Sequence, residues 1–329
     1  MVRYRLRPGL LVLDCGDGSI QVGTDPCCAK RLGDLSESEA AFLLSLGTGF
    51  SVVQSASAAG LTDQQTEALL IRLRNLGLVY CVDRSRPGIA TPEQSQCLLQ
   101  YGDEHALGLR SQSSVRVLGA GRLGALIALS LQQSGVRCVQ LETFAELPTV
   151  DFSDGFPYPM SALGGSRQAA ASDLMRTFAP PPRSLRGPEF TVLVTGGAIP
   201  STVPQSLGLS SFLPVVVGEL GVSVGPLIGP DRMTCLECMD RTRVDRDQSW
   251  RAMAPALQAR FGDPQCSVTA SALSLAAAGM ASALVLDYLD GAGQFAPGSS
   301  VYVPAYSLQT LTTMWHPHPR CSSHGRLAA

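Results

Sequence analysis

Val115-Arg-Val-Leu118 runs directly into Gly119-Ala-Gly121-Arg-Leu-Gly124, and no other junction in the chain constrains the fold as strongly. A short apolar, β-branched run reads as a buried strand, the glycines as a tight turn, and Leu123 to Gln133 as a helix ended by Gly135. Cys138-Val-Gln-Leu-Glu142 supplies the next strand. Glycines in such a loop allow a sharp turn, close approach of a phosphate and tight helix–strand packing, and the helix N-terminus offers N–H donors to an anion. Glu142 lies about twenty residues past the loop, the distance at which an acid meets ribose hydroxyls. Gly119, Gly121, Gly124 and Glu142 are therefore candidate cofactor-binding residues.

The pattern continues with a helix over Gly165 to Phe178 and core strands over Phe190-Thr-Val-Leu-Val-Thr195 and Leu213-Pro-Val-Val-Val217. Gly221 to Gly229 reads as a strand pair or crossover. Strands alternating with helices predict an α/β, Rossmann-like, doubly wound and mostly parallel sheet. Thr269 to Tyr288 approaches the length of a membrane span, but Ser271, Ser274, Gly279, Ser282 and Asp287 interrupt it, so a buried core helix is expected and no membrane association.

Before this region lies a smaller α+β module. Leu10-Leu-Val-Leu13 and Ser19-Ile-Gln-Val22 flank Cys15-Gly-Asp-Gly18 as a hairpin, and Ala29 to Leu32 reads as a third strand. Three helices follow, the first capped by Ser36 with Glu39, the second over Val52 to Ala59, the third capped by Thr62 with Leu69, Leu70, Leu73 and Leu76 at helical spacing. Leu78-Val-Tyr-Cys-Val82 is extended. These elements predict a winged-helix-like module over residues 1–86, a polar linker with one helical piece over 87–114, and the Rossmann-like domain over 115–329.

Charge narrows the partners. The formal net charge is -2, and acids and bases balance within the first module, which argues against nucleic acid. A peptide added to an exposed strand edge beside a helix suits such a module better. The third strand and third helix place Lys30, Arg31, Leu69 and Arg72 as peptide-binding candidates, with an acidic peptide favoured by the basic side chains. Lys30 is the only lysine, arginine carrying nearly all the positive charge.

Cys235 and Cys238, in a segment read as a loop, are two residues apart, and Cys321-Ser-Ser-His324 repeats that gap. A tight turn with this spacing aims two donors at one tetrahedral zinc ion. Cys235, Cys238, Cys321 and His324 are the expected ligands, with His316 and His318 as rivals for the fourth place. A redox role is disfavoured because the pair is not read as opening a helix. The chain has 10 cysteines, and its start, with only a short apolar run before Asp14, is not read as a secretory signal, so reduced thiols in a cytoplasmic protein are expected.

The order of the Gly loop, Glu142, then Val224-Gly-Pro-Leu-Ile-Gly-Pro-Asp-Arg-Met-Thr-Cys-Leu-Glu-Cys238 and a late pair of metal ligands resembles the ThiF/MoeB ubiquitin-activating superfamily over roughly Val115 to His324. With the N-terminal module, the chain resembles the ThiF-like leader-peptide-binding proteins of azole-forming cyclodehydratase systems, of the actinobacterial kind. That resemblance implies a dimeric, zinc-bearing scaffold that captures a precursor leader peptide for a cyclodehydratase-type partner. Active members of the superfamily adenylate a carboxylate with ATP, using a lysine near the phosphates and an aspartate that holds magnesium.

Here the resemblance puts Arg167 in the lysine position and Gly196-Gly-Ala198 where the aspartate is expected. Arginine does not reproduce a compact ammonium charge, and magnesium prefers hard oxygen ligands. A non-catalytic scaffold is the expectation, with Asp151 and Asp154, in a segment read as a mobile loop, as the acids available to compensate. An ATP-dependent adenylating enzyme is the alternative, and an NAD-dependent oxidoreductase a further one that rests on the Gly loop and Glu142 alone.

Overall fold

A computed structural model of the protein describes residues 3–48, 50–82, 91–143, 149–152, 154–178, 189–230, 233–261 and 269–322. The chain divides into two compact units, Met1–Gly108 and Leu109–Ala329.

In the first unit, β2 (Val12–Asp14), β3 (Ile20–Val22) and β4 (Lys30–Leu32) form an antiparallel sheet in that order, so β4 is an edge strand. The β2–β3 turn forms because Gly16 and Gly18 accept positive φ and the Asp14 carboxylate takes the Gly16 N–H at 2.8 Å. Helices α1 (Glu37–Gly47), α2 (Val52–Ala58) and α3 (Asp63–Asn75) each open with a reciprocal cap, Ser36 with Glu39, Ser51 with Gln54 and Thr62 with Gln65. Each cap satisfies backbone donors that the first turn leaves unpaired, an effect of about 1 kcal/mol. The faces they orient bring Phe42, Leu43, Leu46, Leu69 and Leu73 against Ile20, Val22 and Leu32 in one core.

A further strand, β1 (Arg3–Leu6), pairs antiparallel with β5 (Val79–Val82). Sequence reading missed β1 because Arg3-Tyr-Arg-Leu6 alternates polar and apolar residues over too few positions to stand out. Helix α4 (Pro92–Tyr101), within the segment expected as linker, starts at a Thr91 cap and ends at Gly102 in the left-handed region. Helix α5 (His105–Gln112) follows.

The second unit is a seven-stranded mixed sheet. Its strands are β6 (Ser114–Leu118), β7 (Cys138–Glu142), β8 (Phe190–Gly196), β9 (Phe212–Val217), β10 (Gly221–Val224), β11 (Ser299–Pro304) and β12 (Leu311–Met314), in the order β12-β11-β10-β9-β8-β6-β7. The four strands β7, β6, β8 and β9 are parallel, and β10 to β12 extend the sheet antiparallel. Every residue of β8 is buried, as expected of a strand covered on both faces. Gly221 to Gly229 holds one strand and a bridge from Ile228 to Phe212, where a strand pair was one expectation.

Helices α6 (Arg122–Gln133) and α7 (Arg167–Phe178) follow β6 and β7, with the short α8 (Val203–Ser206) after β8. Helices α9 (Leu236–Arg246) and α10 (Trp250–Gln258) precede α11 (Ser271–Asp290). Helix α11 is long and apolar enough to cross a membrane, but it packs on α6 and its Ala277, Ala278, Ala281, Leu284 and Val285 lie in the central core.

Candidate nucleotide crevice, cysteine corner and strand edge

Strand β6 has β7 on one side and β8 on the other, so successive parallel connections depart in opposite directions at its C-terminal end. Such a switch point opens a crevice where ligands of doubly wound sheets bind. Gly119 leaves β6 with φ 112°, and a Cβ there would lie 2.3 Å from the Val194 carbonyl oxygen. A Cβ at Gly124 would lie 1.9 Å from the Gly119 carbonyl oxygen. Packing alone therefore demands glycine at both positions. Gly121, which caps α6, differs: the nearest atom to a Cβ there is Asp154 Oδ1, at 3.8 Å. Glu142 ends β7 half-buried, its carbonyl accepting the Gly119 N–H at 2.9 Å.

Arg167 begins α7 but turns inward. It is 2% exposed, pairs with the Asp154 carboxylate and donates from Nη2 to the Thr149 carbonyl at 2.7 Å. Asp154 is also buried, accepting the Asp151 N–H at 2.9 Å. Both residues are packed into the fold, which corrects the expectation of a mobile loop carrying an available Asp154. Two further residues, unanticipated from the sequence, hold this segment. Arg122 donates to the Asp154 carbonyl at 2.8 Å and the Thr269 carbonyl at 2.7 Å. The Tyr158 hydroxyl donates to the Ala120 carbonyl at 2.7 Å, and burial, reinforced by the Asp154 charge, drives that phenol well above its ordinary range. Arg122 had a signal, its place inside the Gly loop; Tyr158 had none.

At the end of β8, Gly197 has φ 71°, and a Cβ there would lie 2.5 Å from the Leu257 carbonyl oxygen. The Ala198 N–H donates to that same carbonyl at 3.1 Å. The C-terminal turn of α10 thus stands against Gly197, the middle residue of the Gly196-Gly-Ala198 stretch where the resemblance expects a metal-binding aspartate.

The cysteine corner is built at another helix start. Cys235 is the N-cap of α9 and Cys238 sits in its first turn, correcting the reading of this pair as a loop. Cys235 Sγ lies 3.7 Å from Cys238 Sγ and 3.6 Å from Cys321 Sγ, and the three sulfurs are mutually within 4.8 Å. Tetrahedral Zn–S arms of about 2.3 Å place sulfurs roughly 3.8 Å apart, so the donor set fits a zinc ion. The His318 N–H approaches Cys238 Sγ at 3.3 Å, a donor suited to a metal-bound thiolate.

Burial pushes the Cys235 thiol up to about 12, with the Cys238 charge and the Cys321 contact adding to the rise. The rival histidines lie elsewhere. His318 meets Asp245 through Nε2 at 2.9 Å and accepts the Arg320 N–H on Nδ1 at 3.1 Å; His316 is exposed. His324 lies outside the described residues. The Ser322 hydroxyl donates to the Glu237 carboxylate at 2.6 Å, ties the tail to α9 and holds that carboxyl down at about 2. Arg243 stacks between Trp250 and Trp315, at 4.9 and 5.2 Å from their ring centres, bracing the helix against the tail.

In the first unit, Lys30 and Arg31 stand exposed on edge strand β4. Arg31 is engaged by Asp17 at 2.5 Å and Ser19 Oγ at 2.8 Å. Arg72 on α3 donates to the Gly33 carbonyl at 3.4 Å, just beyond β4. Leu69 is 3% exposed, so it supports this edge from the core and does not face it.

No protein-family model and no curated protein matches the chain. Solved structures do. The E. coli MccB + ATP crystal structure matches with TM-score 0.68 and 13% identity, over 98% of this chain and 100% of that one. The microcin C7 biosynthetic enzyme MccB in complex with N-formylated MccA matches with TM-score 0.70 and 13% identity, again over 98% and 100%. PaaA matches with TM-score 0.62 and 15% identity, over 93% of this chain and 98% of that one. The likeness establishes the fold, and it extends through both compact units.

Proposed function

We propose that this chain is a ThiF/MoeB-type scaffold that binds a precursor leader peptide and presents it to a partner modification enzyme of the cyclodehydratase type, without itself carrying out adenylation. The observation that carries the reading is that β4 is an edge strand with Arg72 of α3 reaching the Gly33 carbonyl just past it, in a chain of which 98% is matched in fold by the microcin C7 biosynthetic enzyme MccB in complex with N-formylated MccA. A peptide strand adding to that edge gains backbone hydrogen bonds, while Lys30 and Arg72 select acidic side chains. The N-terminal unit serves here as a winged-helix-like recognition module, and the chain acts as a cytoplasmic homodimer away from nucleic acid and membrane. Cys235, Cys238 and Cys321, with His324 as fourth ligand, hold a structural zinc that pins the C-terminal tail to α9.

Loss of chemistry is supported by two features of the crevice. Arg167 is consumed by Asp154, and a carboxylate side chain at 197 has no room beside Leu257. Phosphoryl and adenylyl transfer depend on charges aimed at the reacting oxygens, and neither feature supplies one.

A second reading, an ATP-dependent adenylating enzyme, is favoured by the retained Gly119–Gly124 backbone and by the ATP complex of MccB. Two measurements on the full-length protein separate them. A precursor peptide encoded near the gene should bind, and magnesium-dependent ATP–pyrophosphate exchange with that peptide should be absent. Robust exchange makes the chain an enzyme, and failure to bind any such peptide removes the scaffold reading. Titration with NAD tests the oxidoreductase alternative.

A further inference from the structure

The second glycine of such a loop exists so that a ligand's phosphate can approach the backbone. On that side of Gly121 the nearest atom is not solvent-facing backbone but Asp154 Oδ1, at 3.8 Å from where a Cβ would be. We propose that the Asp154 carboxylate is a built-in occupant of the phosphate position, an intramolecular anion that keeps nucleotide phosphates off the Gly loop. The inference rests on the reading of Gly119–Gly124 as the family's nucleotide loop.

Three independent features support it. The carboxylate lies beside the N-terminus of α6, with Oδ1 3.8 Å from where a Gly121 Cβ would be, and the N–H groups and dipole of such a twelve-residue helix favour an anion there. It takes as its counter-ion Arg167, the residue that would face the phosphates, and buries that pair. It is also latched from both sides, its own carbonyl held by Arg122 and the following turn held by the Tyr158 hydroxyl on Ala120 of the loop itself.

The substitution is incomplete in an informative way. Arg167 Nε is buried and finds no partner among the described residues. Asp154 meets the guanidinium through Oδ1 on Nη1 alone, with Oδ2 turned to the Asp151 N–H, whereas a phosphate in the same place carries further oxygens that can reach Nε. A cradle with one donor left over fits an inherited anion site now filled by a smaller anion. A nucleotide entering it meets a like charge at the contact point and must first open the Asp154–Arg167 pair, so its apparent affinity falls by the fraction of molecules in which that pair is open.

Calorimetric titration of the full-length protein with inorganic pyrophosphate, and then with ATP free of added magnesium, tests this. The wild type should not saturate below the millimolar range. Asp154→Asn, which keeps the shape and an acceptor oxygen but removes the charge, should bind pyrophosphate at least roughly tenfold more tightly. Adding Arg167→Gln to Asp154→Asn should abolish the gain. Wild-type saturation at micromolar pyrophosphate overturns the proposal, as does an unchanged affinity in Asp154→Asn. Should that variant fail to fold, Asp154→Ser carries the same comparison and the wild-type titration still decides. Peptide binding followed in the same samples should not change. A chain that gains pyrophosphate binding yet never binds a precursor peptide keeps this inference and loses the scaffold reading.

Discussion

The cysteine corner and the glycine crevice are both built at helix N-termini that lack a side-chain cap, Cys235 opening α9 and Gly121 opening α6. In the corner, side chains remote in sequence converge on one point with the separations a metal ion needs. In the crevice the backbone is intact, yet the side chains around it are turned against one another. The difference teaches what a glycine motif reports. Gly119 and Gly124 are required by contacts with Val194 and with the loop itself, whatever becomes of a nucleotide. Such a loop is retained by packing whether or not it binds a nucleotide, whereas packing alone does not ask for three thiols at metal-binding separations.

The largest effect expected is at the corner. Cys235→Ser or Cys321→Ser should lower stability by roughly several kcal/mol, because metal binding is coupled to folding. Thermal unfolding should show it, together with loss of about one zinc per chain in protein purified without an affinity metal. An equally stable, metal-free wild type would erase the contrast with the crevice.

Arg167→Ala should come next, at about 3–5 kcal/mol, since it strands the buried Asp154 charge. Denaturant titration measures it, and a loss below about 1 kcal/mol, typical of an exposed pair, would show the crevice to be open.

Gly124→Ala should cost about 1–3 kcal/mol or more through overpacking against the Gly119 carbonyl. Gly121→Ala meets nothing closer than 3.8 Å and should be nearly silent in the same assay. If the two substitutions cost the same, the packing account of the motif fails.

The smallest effect concerns the strand edge. Arg72→Glu should weaken precursor-peptide binding about tenfold, or about 1.4 kcal/mol, in fluorescence anisotropy with the full chain, and leave unfolding unchanged. Unaltered binding would move the peptide away from β4.

Much of this was legible beforehand, for identifiable reasons. Ser36 with Glu39, and Thr62 with Gln65, are local caps whose partners lie three residues apart, so the helices they start could be read directly. The β6 strand, Gly loop and α6 form one continuous stretch. What escaped reading depended on distant partners. Strand β1 is defined by its pairing with β5 at the far end of its unit. Cys235 and Cys238 looked like a loop because Arg241, Arg243 and Arg246 give α9 little apolar periodicity; packing of Leu236 and Met239 and the Arg243 stack between Trp250 and Trp315 hold it helical. Leu69 carried a hydrophobic signal that could not distinguish a groove from the core beneath it.

By itself the sequence determined the positions at which backbone geometry admits few residues and those at which donors recur at metal-binding spacing: the Gly loop, the capped helices, the buried strands and Cys235 with Cys238. These rest on near-neighbour sterics and hydrogen bonding, which a linear pattern records. Only the tertiary structure decided which charges meet. Arg167 and Asp154 are both polar residues near a loop when read along the chain; folding buries them together beside Gly121, and in a low-dielectric interior two opposite charges must pair with each other before either can serve a ligand.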